Sequence, residues 1–172
     1  MDTHIDEARA ARVIDPGSGR HLHFLNHLAT IKVAAGDDGA LSVVEFAAAR
    51  SFGPPLHRHL DEDELFVMID GEVAFLTDEP DLDPLVGRAG AIAFLPRGIA
   101  HTFQVQSETA RFVCVTGSGT GHPRFDEMVA ALGEPTDAPT LPEPGYVDAT
   151  RVADICQQHG IEVVGPPPAP LS

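Results

Sequence analysis

An all-β sandwich or barrel followed by two α-helices is the fold this sequence predicts. Three observations carry it. Short runs of β-forming residues recur at close spacing between positions 22 and 116, Gly- and Pro-rich turn signals separate them, and the hydrophobic period changes to a helical one after Gly121. Many short strands joined by such turns bury their apolar faces by stacking two sheets or by closing on themselves.

Residues 1–20 read as a polar arm that ends in the turn-rich Asp15-Pro16-Gly17-Ser18-Gly19. Strands are expected over 22–25, 29–34, 41–48, 64–69, 72–76, 91–95, 101–106 and 111–116. The turns between them are Gly36-Asp37-Asp38-Gly39, Asp70-Gly71, residues 79–84 and Pro96-Arg97-Gly98. Over 123–132, Phe125, Met128, Val129 and Leu132 share one helical face, and Gly133 stops the helix. A Pro-rich connector over 134–144 leads to a second helix over 149–159. Asp148 is placed to cap that helix, and Val152, Ile155 and Cys156 form its apolar stripe. Residues 165–172 are largely proline and read as an extended tail. The expected organisation is an arm over 1–20, a barrel over 21–117, and a helical extension with tail over 118–172 belonging to the same domain.

Composition excludes several functions. With 26 acidic against 11 basic side chains, the net charge of −15 opposes binding to nucleic acid or to anionic membrane surfaces. No apolar run approaches the roughly 20 residues of a membrane span. Met1-Asp2-Thr3-His4-Ile5-Asp6-Glu7 lacks the basic-then-apolar layout of a signal peptide. Cys114 lies in an apolar strand-like run and Cys156 in a helical one, the pattern of two buried thiols in a reducing cytoplasm. Lys32 is the single lysine; with abundant Ala, Gly and Pro, that bias matches a GC-rich bacterial genome.

The segment His57-Arg58-His59-Leu60-Asp61-Glu62-Asp63-Glu64 carries the chemistry. His57 and His59 are two apart, so on a strand both imidazoles point to one face. A short polar stretch follows and can bring a carboxylate beside them. Imidazole with carboxylate suits one divalent transition metal ion: Fe, Mn, Co, Ni, Cu or Zn. In strand alternation Glu64 shares its face with Phe66 and Met68, and His101 shares its face with Phe103 and Val105. The same faces are therefore apolar, as in a small-molecule cavity, with Phe66, Met68 and Phe103 as its expected lining. His21, His23 and His27 repeat the close spacing without a neighbouring carboxylate and read as strand-surface histidines. Asp61, Glu62 and Asp63 read as a solvated turn, Arg97 as a solvent-facing residue, and Phe125 and Met128 as helix-packing residues.

Two stretches extend this reading. Gly53-Pro54-Pro55-Leu56-His57-Arg58-His59, continuing through Glu64 to Asp70-Gly71, and Gly90-Ala91-Ile92-Ala93-Phe94-Leu95-Pro96-Arg97-Gly98-Ile99-Ala100-His101 closely resemble the two signature motifs of the cupin superfamily. His57, His59 and Glu64 match the ligands of the first motif, and His101 matches the ligand of the second. Gly71, Gly90, Pro96 and Gly98 fall where that family has its glycines and proline. The six-residue gap to Gly71 selects Glu64 over Glu62 and Asp63. Two positions depart: Ser51 stands where a glycine usually precedes the first histidine by six, and Val105 where an asparagine ends the second motif. The resemblance covers roughly residues 25–117. It implies a double-stranded β-helix (jelly-roll) barrel, one bound metal and pairing into a homodimer.

The chain also looks like the single-domain quercetinase-type dioxygenases of that superfamily. Gly117-Ser118-Gly119-Thr120-Gly121, followed by a Phe-containing helix ending at Leu132-Gly133, is similar to their post-barrel segment. That likeness implies an oxidoreductase using O₂ on a hydroxylated aromatic or enolic small molecule, with Glu64 both a ligand and a proton acceptor. Two other classes use the same barrel: non-redox isomerases, lyases, decarboxylases or cyclases that employ a metal as Lewis acid, and binding cupins without turnover.

Overall fold

The computed structural model describes residues 11–36, 39–79 and 83–170. Its strands are β1 (Arg20–Phe24), β2 (His27–Val33), β3 (Leu41–Ala49), β4 (His57–His59), β5 (Glu62–Asp70), β6 (Glu72–Thr77), β7 (Leu85–Arg88), β8 (Ile92–Leu95), β9 (His101–Val105) and β10 (Thr109–Ser118). Helix α1 (Phe125–Leu132), β11 (Glu134–Pro135), α2 (Ala149–Gln158) and β12 (Ile161–Val163) follow. Residues 1–10 of the expected arm, 37–38 and 80–82 of two expected turns, and 171–172 of the tail lie outside the described residues.

Two antiparallel sheets make the jelly roll. One has seven strands in the order β11-β1-β2-β3-β10-β5-β8, the other five in the order β12-β4-β9-β6-β7. Alternation explains their inner faces: along β5 the buried residues are Glu62, Glu64, Phe66 and Met68, and along β3 they are Ser42, Val44, Phe46 and Ala48. Phenylalanines from both sheets meet in the core, with Phe66 5.8 Å from Phe103 and Phe103 5.1 Å from Phe112 between ring centroids. Offset and edge-on aromatic pairs of this kind add to the simple burial of area.

Several turns behave as their sequences require. Gly71 joins β5 to β6 at φ 78, where an added Cβ would meet Thr109 O at 2.4 Å. Ser51 also takes a left-handed conformation, at φ 70. It is one of the two departures from the motif pattern, and it bonds to the other: Ser51 N–H donates to Val105 O at 2.9 Å, and Val105 N–H donates to Phe52 O at 3.0 Å. Here a residue with a Cβ bears the strain of the left-handed region.

The segment after Ser118 is more than helical. Asp148 Oδ1 caps α2 by accepting from Thr150 and Arg151 N–H, as expected, and Val152 and Cys156 are buried. Beyond α2, β12 pairs with β4, placing Ile161 opposite His59. β11 pairs with β1. Each is too short to show a period, and β7 has only Gly87 buried, so none of the three announces itself in the sequence.

Candidate metal centre

Both sheets contribute to the site. His57 and His59 stand on β4, and His57 is in direct register with His101 on β9. Glu64 comes from β5 of the other sheet, opposite Thr116 of β10. The turn before His101 is fastened to the first motif twice. Gly98, at φ 83, donates its N–H to His59 O at 2.8 Å, and Arg97 donates its N–H to Asp63 Oδ1 at 3.0 Å while its guanidinium donates to both Asp63 oxygens. Asp63 and Arg97 are thus a partly exposed pair that ties the two motifs together, not a solvated turn and a free surface arginine.

One ligand atom from each of His57, His59, Glu64 and His101 lies within 4.8 Å of the others, a grouping able to hold a metal ion. His57 Nδ1–H donates to Pro55 O at 2.8 Å and His101 Nδ1–H to Ile99 O at 3.0 Å. Each bond spends the outer ring nitrogen on a carbonyl two residues back and leaves Nε2 for the centre. Glu64 Oε2 is 2.9 Å from His101 Nε2 and 3.6 Å from His59 Nε2. His59 is buried with neither ring nitrogen hydrogen-bonded, a costly state that a cation on Nε2 would relieve. Donor chemistry and orphaned nitrogen both fit a borderline divalent metal.

Charge in the cluster is set by burial and by proximity. Burial raises the Glu64 pKa, but His59, His101 and His57 outweigh it and hold the carboxyl well below the usual range. Burial, then the His101 and His59 imidazoles, lower His57 to about 3. His59 moves up despite burial, because Glu64 and Glu62 stand beside it. An acid sensitivity follows. The unfolded chain protonates His57 near pH 6.5, while the fold keeps it neutral down to about 3. The unfolded state binds more protons between those values, so stability falls as pH drops from about 6.5 toward 3. His27, lowered by burial, has the same sign. His59, raised, is protonated in both states below about 6.5 and is silent there. Urea unfolding of the metal-free protein between about pH 6.5 and 5 should show this loss, and His57→Gln should flatten it; equal slopes for the two proteins would contradict the assignment.

Two neighbours escaped sequence reasoning. Cys114, on β10, is buried as expected, and its thiol donates to Glu64 Oε1 at 2.9 Å. Burial and the adjacent carboxylate push the thiol pKa well up, so it stays a donor. Inward alternation with Phe112 and Thr116 was the available signal. Glu62 corrects an expectation outright: it is 4% exposed, and Oε2 lies 3.4 Å from His59 Nδ1. Its other oxygen accepts from Arg124 N–H at the start of α1. A strand beginning at Glu62, not at 64, turns this carboxylate inward beside Glu64.

A cavity of about 50 Å³ adjoins the cluster. Its wall includes His57 and Glu64, together with Phe66, Phe103 and Phe125. Met128 also borders it, so α1 packs on the barrel and closes one side of the cavity. Met68 is buried in the core but is not among the residues lining this cavity; the Cβ position at Gly87 is 3.2 Å from its Cγ. His21 is half-buried with Nδ1 3.0 Å from Thr30 Oγ1, and His23 Nε2 is 3.2 Å from Thr140 O. His27 departs from its expected surface place: it is buried and lines the cavity.

Comparison with known proteins agrees with this geometry. Residues 42–116 match the family described as Cupin domain. The match covers a little under half of the chain. The chain is 26% identical over 148 residues to the quercetin 2,3-dioxygenase of Bacillus subtilis (strain 168), covering 81% of this chain and 42% of that protein, so it spans less than half the length of this relative. Among solved structures, a cupin superfamily protein from Desulfitobacterium hafniense DCB-2 is similar with TM-score 0.46 and 12% identity, covering 54% of this chain and 77% of that one. KdgF from Halomonas sp. is similar with TM-score 0.47 and 15% identity, covering 54% and 79%. Among the described residues, no helix is long and apolar enough to cross a membrane.

Proposed function

We propose that this protein is a metal-dependent dioxygenase acting on a hydroxylated aromatic or enolic small molecule. The observation that carries the reading is the meeting of three imidazoles and one carboxylate, drawn from both sheets, at the wall of an apolar cavity. His57, His59, Glu64 and His101 hold one divalent transition metal ion, and Phe66 and Phe103 hold the body of the substrate. The 26% identity to a quercetin 2,3-dioxygenase supports the substrate class.

When bound, the metal acts as a Lewis acid that makes a hydroxyl placed against it more acidic. Glu64 is suited to take that proton on Oε2. Its depressed pKa keeps it ionised at working pH, with a free lone pair to accept the proton. Cys114 holds Oε1, so rotation of the carboxylate does not carry Oε2 away. Phe66, Phe103 and Phe125 keep bulk water from the wall where the proton moves.

The test is an oxygen-electrode screen of flavonols and other enolic phenols, paired with metal analysis of protein purified without added metal. Uptake of oxygen dependent on a stoichiometric transition metal is expected. Substrate loss without oxygen uptake would replace the dioxygenase reading by a non-redox cupin reaction.

A further inference from the structure

β4, the strand that carries His57 and His59, is three residues long and is held very unequally by its two neighbours. Toward β9 its register has a single pair, His57 with His101, and Gly98 N–H adds one bond to His59 O. Toward β12 all three residues are paired: His57 with Val163, Arg58 with Glu162 and His59 with Ile161. The pairing continues past both ends. Leu60 N–H donates to Gly160 O at 2.9 Å, and Val164 and Gly165 N–H both donate to Leu56 O, at 2.8 and 3.1 Å. Leu56 N–H donates to Pro166 O at 3.2 Å. Bonded pairs recur every second residue in an antiparallel ladder, so Arg58 and Glu162, midway between these, exchange backbone bonds as well. The Arg58 guanidinium also grips Glu162 Oε2 at 2.7 Å.

The chain from residue 160 onward therefore supplies most of what holds the two-histidine strand, and it lies beyond residues 42–116 that match the cupin family. Its influence reaches the rings. Pro55 O accepts from His57 Nδ1–H, and Leu56, next in the chain, makes three bonds to this segment. Farther along, Gln104 Nε2 on β9 donates to Ala169 O at 2.6 Å, so the tail also spans to the strand of His101. Without β12, β4 is an edge strand of three residues, too short to order itself. A cation needs His57 and His59 in place together, and its affinity falls in proportion to the fraction of molecules in which they are.

We infer that residues 160–169 are a strap that positions His57 and His59 for the metal, so that docking of the strap and binding of the cation strengthen each other. This rests on the metal-holding part of the proposed function and not on oxygen chemistry. The coupling is reciprocal: whatever the strap adds to metal affinity, the metal adds to strap docking.

Hydrogen exchange of the unsubstituted chain, with and without zinc, reads that coupling. The Leu60, Val164 and Gly165 amides should exchange at least about fivefold more slowly with zinc, the lower end of typical couplings. Thr136 N–H, which donates to His21 O where the equally marginal β11 meets β1, is the control and should change by less than about twofold. A segment that only completes a sheet has no reason to answer zinc more than β11 does. Glu162→Pro removes the amide facing Arg58 and should weaken zinc binding by at least about fivefold. Glu162→Gln keeps the amide, gives up only an exposed ion pair, and should stay within about twofold of wild type. Equal slowing at Val164 and Thr136, no slowing at Val164, a wild type that takes up no zinc, or undiminished zinc affinity in folded Glu162→Pro overturns the inference. Oxygen uptake is scored separately. A strap protected by zinc in a protein that consumes no oxygen keeps this inference and loses the dioxygenase reading; oxygen uptake with an indifferent strap does the reverse.

Discussion

Glu64→Gln is expected to lose turnover by about 10²–10⁴-fold at matched metal occupancy, the range that removal of a general base costs. The amide is nearly isosteric and its oxygen can still meet a cation, so occupancy should fall far less than rate. It cannot take a proton. The substitution also changes what faces Cys114: the thiol donates to Oε1, and an amide oriented with its oxygen toward Sγ turns NH₂ toward His101 and His59. Some loss of metal affinity is therefore built in, and rates must be compared at equal loading. Full activity of Glu64→Gln at full occupancy would end the base role. Glu62→Gln is the necessary control, and the structure changes its expected outcome. A buried carboxylate beside His59 Nδ1 is an outer partner of a ligand, whose loss typically costs about 10–100-fold in affinity or activity. Asp63→Asn, weakening a partly exposed pair with Arg97, should cost much less. If Glu62→Gln is the dead variant and Glu64→Gln the active one, the wrong carboxylate has been given the proton.

The difference between Glu62 and Glu64 shows where sequence reasoning stops. Period-two alternation puts both on the same face, but a run of four acidic or polar residues is equally compatible with a turn. What decides is the partner strand: β10 extends to Ser118 and pairs with Glu62, carrying the ladder two residues beyond the expected start. His27 shows the same limit. Its burial comes from Phe52 and Phe103, one in a loop and one in the opposite sheet, and no local pattern reports contacts across that distance. The Asp63–Arg97 bond and the Cys114–Glu64 bond, 34 and 50 residues apart in sequence, are long-range in the same sense.

By contrast, the group able to hold a metal was legible because His57 and His59 are close in sequence and because Glu64 and His101 lie in stretches that resemble the two cupin motifs. His57 and His59 share a face by alternation, and Gly71 and Gly98 mark left-handed turns that only a few residue types enter easily. The long strands and both helices follow from their periods and caps, Asp148 most directly. The two- and three-residue strands β11 and β12 do not, because they exist only through the neighbours they pair with.

Removing metal from the protein should lower its melting temperature by roughly 8–16 °C. A ligand that binds only the folded state at about 1,000 times its dissociation constant adds about 4 kcal/mol, and each kcal/mol moves a chain of this size by about 2–4 °C. The site's placement favours the full effect. His57, His59 and His101 belong to the five-stranded sheet and Glu64 to the seven-stranded one, so a cation held by all four cross-links the two layers and cannot bind when they separate. Chelation should produce the shift, and readdition of a divalent transition metal should reverse it. His57→Ala, His59→Ala and His101→Ala should each weaken metal retention well beyond the 10–100-fold typical of an outer partner, and each should melt nearly alike with and without added metal. His21→Ala and His23→Ala, whose rings face Thr30 and Thr140, should retain metal and the full shift. Stoichiometric metal in all three of the first variants would place the ion elsewhere, and a shift lost in His21→Ala would show where to look.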